Sequence, residues 1–270
     1  MMNRRRIAAV VRKDLRELKS TKMALLPVIL VPVILCIVLP CVLVIVFLKV
    51  DTSVLNGIEM LEKLFSFYVI PLTFSDLPSK LLYVFFNYSF MPFFMIIPLM
   101  LSSVIAANAV VGEKERKTLE TLLYTPITNR ELLAAKLLSS FLPAVVISII
   151  SFAGFFLFTN LVFGLFRGML LVRAWIWLPG ILLVSPSVSA LGLSLTLLVS
   201  IKAKTYMEAQ QTSGIIVLPF VALIYAQIAG AVVLKPWYLP VFALALFVVS
   251  YIIISRIGPK FSREKIIGTL

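Results

Sequence analysis

Residues 25–40 read LLPVILVPVILCIVLP. No charged group interrupts them, and the charge-free run extends over 23–48. A half-buried strand would alternate apolar and polar residues, and a soluble helix would keep a polar face. This stretch does neither. Crossing the hydrocarbon of a bilayer takes roughly 20 apolar residues as a helix. Lipid offers no hydrogen bonds, so every backbone amide there must be paired within the chain. The run therefore reads as a membrane-spanning helix. The alternating strands of an outer-membrane barrel do not fit it.

Five more windows lack Asp, Glu, Lys and Arg: 81–112, 137–166, 174–201, 209–234 and 236–255. Each is long enough to span. The chain of 270 residues is 61% hydrophobic and 14% charged, with mean hydropathy +1.08. A soluble domain of this size needs a more polar surface. The fold class is all-α: a polytopic membrane protein with six transmembrane helices, read as one transmembrane domain over 1–270.

Lys and Arg set the orientation. Even parity puts both termini on one side. That side carries 1–22, 113–136, 202–208 and 256–270, with nineteen of the 25 basic residues. The other side carries 49–80, 167–173 and Lys235, with six. The first side is expected to be cytoplasmic and the membrane the cell membrane. A formal charge of +13 then implies contact with anionic lipid and no nucleic acid. Cys36 and Cys41 lie five apart in the first span, where they serve as small apolar fillers. The first 22 residues are too long and too charged for the n-region of a signal peptide.

Residues 4–22 predict an amphipathic helix on the cytoplasmic membrane surface. Ile7, Val10, Val11, Leu15 and Leu18 share its apolar face, and Arg4, Arg12, Lys13, Arg16 and Lys19 the other. In the outer loop 49–80, Ile58, Leu61, Leu64, Phe65, Tyr68 and Val69 recur at helical spacing, which predicts a short helix buttressing the outer face. Asn87-Tyr88-Ser89 matches a glycosylation pattern but falls in the second span, so it is discounted. Pro27, Pro32, Pro40, Pro92, Pro98, Pro143, Pro179, Pro186 and Pro219 mark kinks. Ser185, Ser187, Ser189, Ala190, Gly192 and Ser194 in the fourth span suit close helix packing or a polar path. Ser102, Ser103, Asn108, Ser148, Ser151, Thr196 and Gln227 are polar points within the spans.

No histidine occurs, which removes His-based acid–base chemistry and the usual metal clusters. Neither GxxxxGK[ST] nor GxSxG is present, so ATP binding by that loop and a serine nucleophile elbow are both excluded. No carboxylate is expected inside a span, so a buried proton relay lacks its parts. The chain reads as a non-enzyme with no cofactor.

The densest mixed-charge segment, 112–132, opens the stretch GEKERKTLETLLYTPITNRELLAAK of 112–136. Residues 113–124 read as one short helix, with Glu113–Lys117 and Arg116–Glu120 four apart. Such exposed pairs contribute only about 0.3–0.5 kcal/mol, so they do not explain the segment. Leu119, Leu122 and Leu123 form an apolar stripe. Thr125-Pro126 ends the helix. Thr128 and Glu131 form a capping box that starts the next one. Lys136 is expected to snorkel to the headgroups.

This segment resembles the one between the second and third spans of type-2 ABC transporter permeases. The matching elements are Glu113-Lys114-Glu115-Arg116, Thr118-Leu119-Glu120, Leu122-Leu123, Thr125-Pro126, and Glu131 to Lys136. Lys117 stands where many members have Gly. The flavour is that of the sodium-efflux and multidrug-type permeases. The resemblance implies a coupling element at 113–125, made of Glu113, Glu115, Arg116, Thr118, Leu119, Glu120, Leu122, Leu123, Thr125 and Pro126. It implies an ABC ATPase partner that hydrolyses ATP, a second permease chain (identical or different), and export. Leu119, Leu122 and Leu123 would anchor in the ATPase groove, with Glu115, Arg116 and Glu120 setting its register. Other readings are an ATP-independent secondary transporter or channel, an intramembrane enzyme and a non-transporting membrane adaptor. The secondary transporter would show inverted repeats, and no internal repeat is evident.

Overall fold

The computed structural model describes residues 3–49, 65, 68–116, 127–203, 205–228 and 238–257. The described residues form helices and no strands. Helix α1, Arg4–Ser20, precedes the spans. Span one is Leu25–Lys49, span two Leu77–Glu115 and span three Asn129–Arg167. Span four is Ala174–Ser200, span five Tyr206–Gln227 and span six Leu239–Ile257. All six are long and apolar enough to cross a membrane. The expected outer helix falls largely on residues outside those described. Val69, expected on its apolar stripe, instead sits in irregular chain and is 82% exposed.

Span two is the hub. Of its most apolar stretch, 94% is buried inside the chain, against 17–28% for spans one, three, five and six. Spans one, three, four and five pack around it, and span six packs on span four. The seven polar points named from the sequence are all buried within this one chain. Three of them close onto the backbone of their own helix. Ser102 donates to Leu99 O at 3.0 Å, Ser148 to Ala144 O at 2.7 Å and Ser151 to Ile147 O at 2.6 Å.

Three of the nine prolines marked as kinks follow widened turns of their helices. π-helical turns occupy Ile34–Val38, Phe85–Ser89 and Gly180–Val184. A proline clashes with the carbonyl four residues back. For Pro40, Pro92 and Pro186 that carbonyl belongs to Cys36, Tyr88 and Leu182, each inside one of these turns. The extra residue in a π turn relieves the clash. The Tyr88 carbonyl is then taken up by Gln227 Nε2 at 2.8 Å, which ties span five to span two.

At the end remote from α1, two buried asparagines fasten the connection between spans three and four. Span three stops at Gly168, whose φ of 68° lies in the left-handed region that glycine tolerates. Asn160 Oδ1 accepts from the Leu171 and Val172 amides at 2.9 and 2.8 Å. Asn87 donates to Leu171 O at 2.9 Å and accepts from the Arg173 amide at 3.0 Å. Asn87 is fully buried, so it is structural and no glycan acceptor. Beside it, Phe86, Phe90, Phe94, Phe155 and Trp177 form a linked ring cluster with neighbouring centroids 5.1–6.0 Å apart.

The small residues of span four serve close packing. A Cβ at Gly192 would lie 2.6 Å from Ser102 Oγ and 2.8 Å from the Leu99 carbonyl oxygen. A backbone oxygen cannot step aside as a side chain can. Gly192→Ala is therefore expected to lower stability by about 1–3 kcal/mol, the usual cost of overpacking. Thermal unfolding in detergent should show a lower midpoint, and an unchanged midpoint would refute the backbone contact.

Candidate functional site

The site lies where span two ends. The sequence suggests a break before Glu113, but the helix runs on through a π turn at Asn108–Gly112 into Glu113–Glu115. The expected partners Lys117 and Glu120 are outside the described residues, as are Thr118, Leu119, Leu122, Leu123, Thr125 and Pro126. The described residues Glu113, Lys114, Glu115 and Arg116 each grip a different part of the bundle.

Glu113 is fully buried and carries two ion pairs. One goes to Lys13 Nζ of α1, and the other to Lys136 Nζ of span three at 2.8 Å. Lys136 also donates to Asp14 Oδ1 at 2.9 Å, and Ser139 donates to Asp14 Oδ2 at 2.9 Å. Lys114 Nζ donates to Ser200 O at 3.2 Å, at the carbonyl end of span four. A cation is favoured there by the helix dipole and the unpaired last carbonyls. The Glu115 carboxylate accepts the Tyr206 amide at 3.0 Å, at the opposite pole of span five. Arg116 pairs with Glu17 Oε1 at 2.6 Å and donates to Thr21 Oγ1 at 3.0 Å, where α1 turns into span one.

Helix α1 is the other half of the site. Its expected apolar face is present, but it packs on span three. Val10, Asp14 and Leu18, four apart, are its buried residues. A carboxylate thus sits in the middle of an apolar stripe, which is affordable only because Lys136 and Ser139 meet it. Burial pushes the Asp14 carboxyl up, the Lys136 ammonium only partly offsets this, and the net direction is upward. Lys13 was expected on the solvated face, but its ammonium bonds Glu113 and lies 3.5 Å from Glu17. Burial lowers its pKa, the Glu113 and Glu17 carboxylates raise it, and the net direction is upward.

Two sequence expectations are corrected here. Lys136 does not snorkel: it is 2% exposed and locked between two carboxylates. Buried carboxylates do exist, namely Asp14, Glu113 and Glu131, all at this end of the bundle. The capping box is as expected. Thr128 Oγ1 accepts the Glu131 amide, and Glu131 accepts the Thr128 amide at 2.9 Å. Glu131 also accepts the Asn3 amide at 2.7 Å, which pins the start of α1. Asp14, Glu17 and Lys114 were not singled out as site residues from the sequence. The available signal was Asp14 itself, a charge at the i+4 position between two buried apolar residues.

A buried ion pair gains little over an apolar pair, but removing one partner strands the other. Lys136→Met leaves Asp14 without its cation and Glu113 with one. The expected loss is about 3–5 kcal/mol. Asp14→Leu added to Lys136→Met should recover part of it, and a double-mutant cycle on thermal unfolding measures the coupling. Strict additivity would refute the network.

The family model described as ABC-2 family transporter protein matches residues 8–261. Comparison with curated proteins and with solved structures gives no match. The matched stretch takes in all six spans and most of α1, and with them every ion pair that gathers at Glu113. With six spans and this match along nearly its whole length, the chain belongs to the ABC-2 transporter family as a multi-pass membrane permease component that works with an ABC ATPase.

Proposed function

We propose that this chain is the permease subunit of an ATP-driven exporter in the cell membrane, with both termini cytoplasmic. Its drive is a separate ATPase that engages the coupling segment 113–126. The observation that carries this reading is the gathering of α1 and spans one, three, four and five onto Glu113–Arg116. A push on the chain just after Arg116 reaches all of them at once. Cytoplasmic placement of this end rests on its basic bias, and export is the direction that the resemblance implies. Two permease chains and two ATPases would make the working assembly.

Within the segment the work divides. Leu119, Leu122 and Leu123 would seat in a groove of the ATPase, as an amphipathic helix does. Glu120 would fix the register by charge. Thr118 would belong to the same contact, and Thr125 and Pro126 would set its angle to span three. Glu113, Glu115 and Arg116 would carry the displacement inward, since their side chains already hold partners in the bundle.

This division is testable with the ATPase encoded nearest to this gene. Leu122→Asp or Glu120→Lys should release the ATPase on co-purification while membrane insertion is unchanged. Arg116→Gln should retain the ATPase yet reduce permease-stimulated ATP hydrolysis several-fold. Equal recovery of ATPase with all variants and the parent chain would sink the assignment of the contact. Full stimulation with Arg116→Gln would sink the role of the ion pairs in transmission.

A further inference from the structure

Helix α1 has a second face that the ion network does not use. Between it and the start of span three runs a groove of about 530 Å³, lined by Arg4, Ile7, Val11, Arg12, Leu138 and Leu142. Ligand sites commonly fall in the range of about 300–1,000 Å³, so the groove has room for an occupant. Its floor is aliphatic. Leu138 and Leu142 are 40% and 49% exposed, in the first turns of the charge-free part of span three. Its rim is cationic. Arg4 and Arg12 are both exposed, and among the described residues neither has an acidic partner. The two acids of α1, Asp14 and Glu17, are turned to Lys136 and Arg116.

We infer that this groove is a binding site for an anionic phospholipid, with its phosphate held by Arg4 and Arg12 and one acyl chain laid along Leu138 and Leu142. Three features select this occupant. Arg forks match phosphate oxygens. Both arginines line the same side of α1, and the helix dipole makes its Arg4 end the positive pole. The groove opens where the polar residues of span three give way to its apolar run, which is the depth of headgroup meeting hydrocarbon in a bilayer. A soluble anion would satisfy the arginines and leave the aliphatic floor uncovered. A zwitterionic lipid would cover the floor but answer the cations with no net charge.

The site bears on function because α1 is held between it and the ion network. Lipid in the groove favours the docked position of α1, in which Lys13, Asp14 and Glu17 hold span two and span three. This consequence rests on the membrane reading alone, so loss of ATPase binding would leave it standing.

The test uses the full chain, purified in mild detergent and stripped of lipid. Phosphatidylglycerol or phosphatidylcholine is titrated back, with bound lipid counted by native mass spectrometry and stability followed by thermal unfolding. Phosphatidylglycerol should bind stoichiometrically and raise the unfolding midpoint, and phosphatidylcholine should do neither. Arg4→Gln with Arg12→Gln should weaken binding roughly tenfold or more, since each removes a charge-assisted bond to the phosphate. Leu142→Trp, which fills the groove and keeps both charges, should also abolish it. Arg5→Gln with Arg16→Gln removes the same charge outside the groove and should leave binding within about threefold of the parent.

Equal loss in the two double variants would mean diffuse attraction and overturn the proposal. Equal binding of both lipids would overturn it as well. So would a dimer that buries this face and excludes lipid.

Discussion

The structure depends on one buried carboxylate. Glu113 lies between Lys13 and Lys136, drawing one cation from the helix ahead of the first span and the other from the third span. Bare, it could not stay charged where it is, because burial of an isolated ion is prohibitive. Its two partners are likewise tied, Lys136 to Asp14 and Lys13 to Glu17. The result is a closed set of charges that satisfies itself only when α1, span two and span three are in register. Such a set adds little net stability, but it rejects misplaced helices strongly. Apolar spans in lipid have no hydrophobic drive to choose among neighbours, so selection falls to close packing and to polar contacts such as these.

The neighbours of Glu113 extend the same logic. Consecutive residues on a helix point about 100° apart, so four in a row look in all directions around its end. Lys114 meets the carbonyl pole of span four, Glu115 the amide pole of span five, and Arg116 the junction of α1 with span one. The alternation of charge sign in GEKER thus follows the alternating polarity of what surrounds it. The mixed charge is placed where it is because span two is central and its end has five neighbours to satisfy.

Much of this was legible from residues alone. The six spans follow from six charge-free windows, and the capping box from Thr128 and Glu131, because both signals are local. The resemblance pointed to 112–136, and the ion pairs of Glu113 and Arg116 gather at its start. What escaped was partnership across the fold. Nothing local says that Lys136 turns inward to Asp14, 122 residues away, when a lysine near a span end also suits a headgroup. Asp14 carried the clue, since a carboxylate on an apolar stripe demands a cation. The prolines were incompletely legible for a related reason. A proline states that a carbonyl is displaced, but whether the helix bends or widens depends on what receives it, and for Pro92 that is Gln227 from a span 135 residues later in the chain.

The crossing at Gly192 has a mechanical consequence. Spans two and four touch backbone to backbone there, against Leu99 and Ser102. They are joined again where Lys114 meets Ser200. Along span two these fastenings are 12 residues apart, or about 18 Å of helix. Two rods pinned at one point can scissor, but two rods pinned at separated points cannot. At the far end Asn87 fastens span two to the connection just ahead of span four, through Leu171 and Arg173. Between the two fastenings, spans two and four are held against scissoring. A displacement applied to one of them there is expected to carry the other with it.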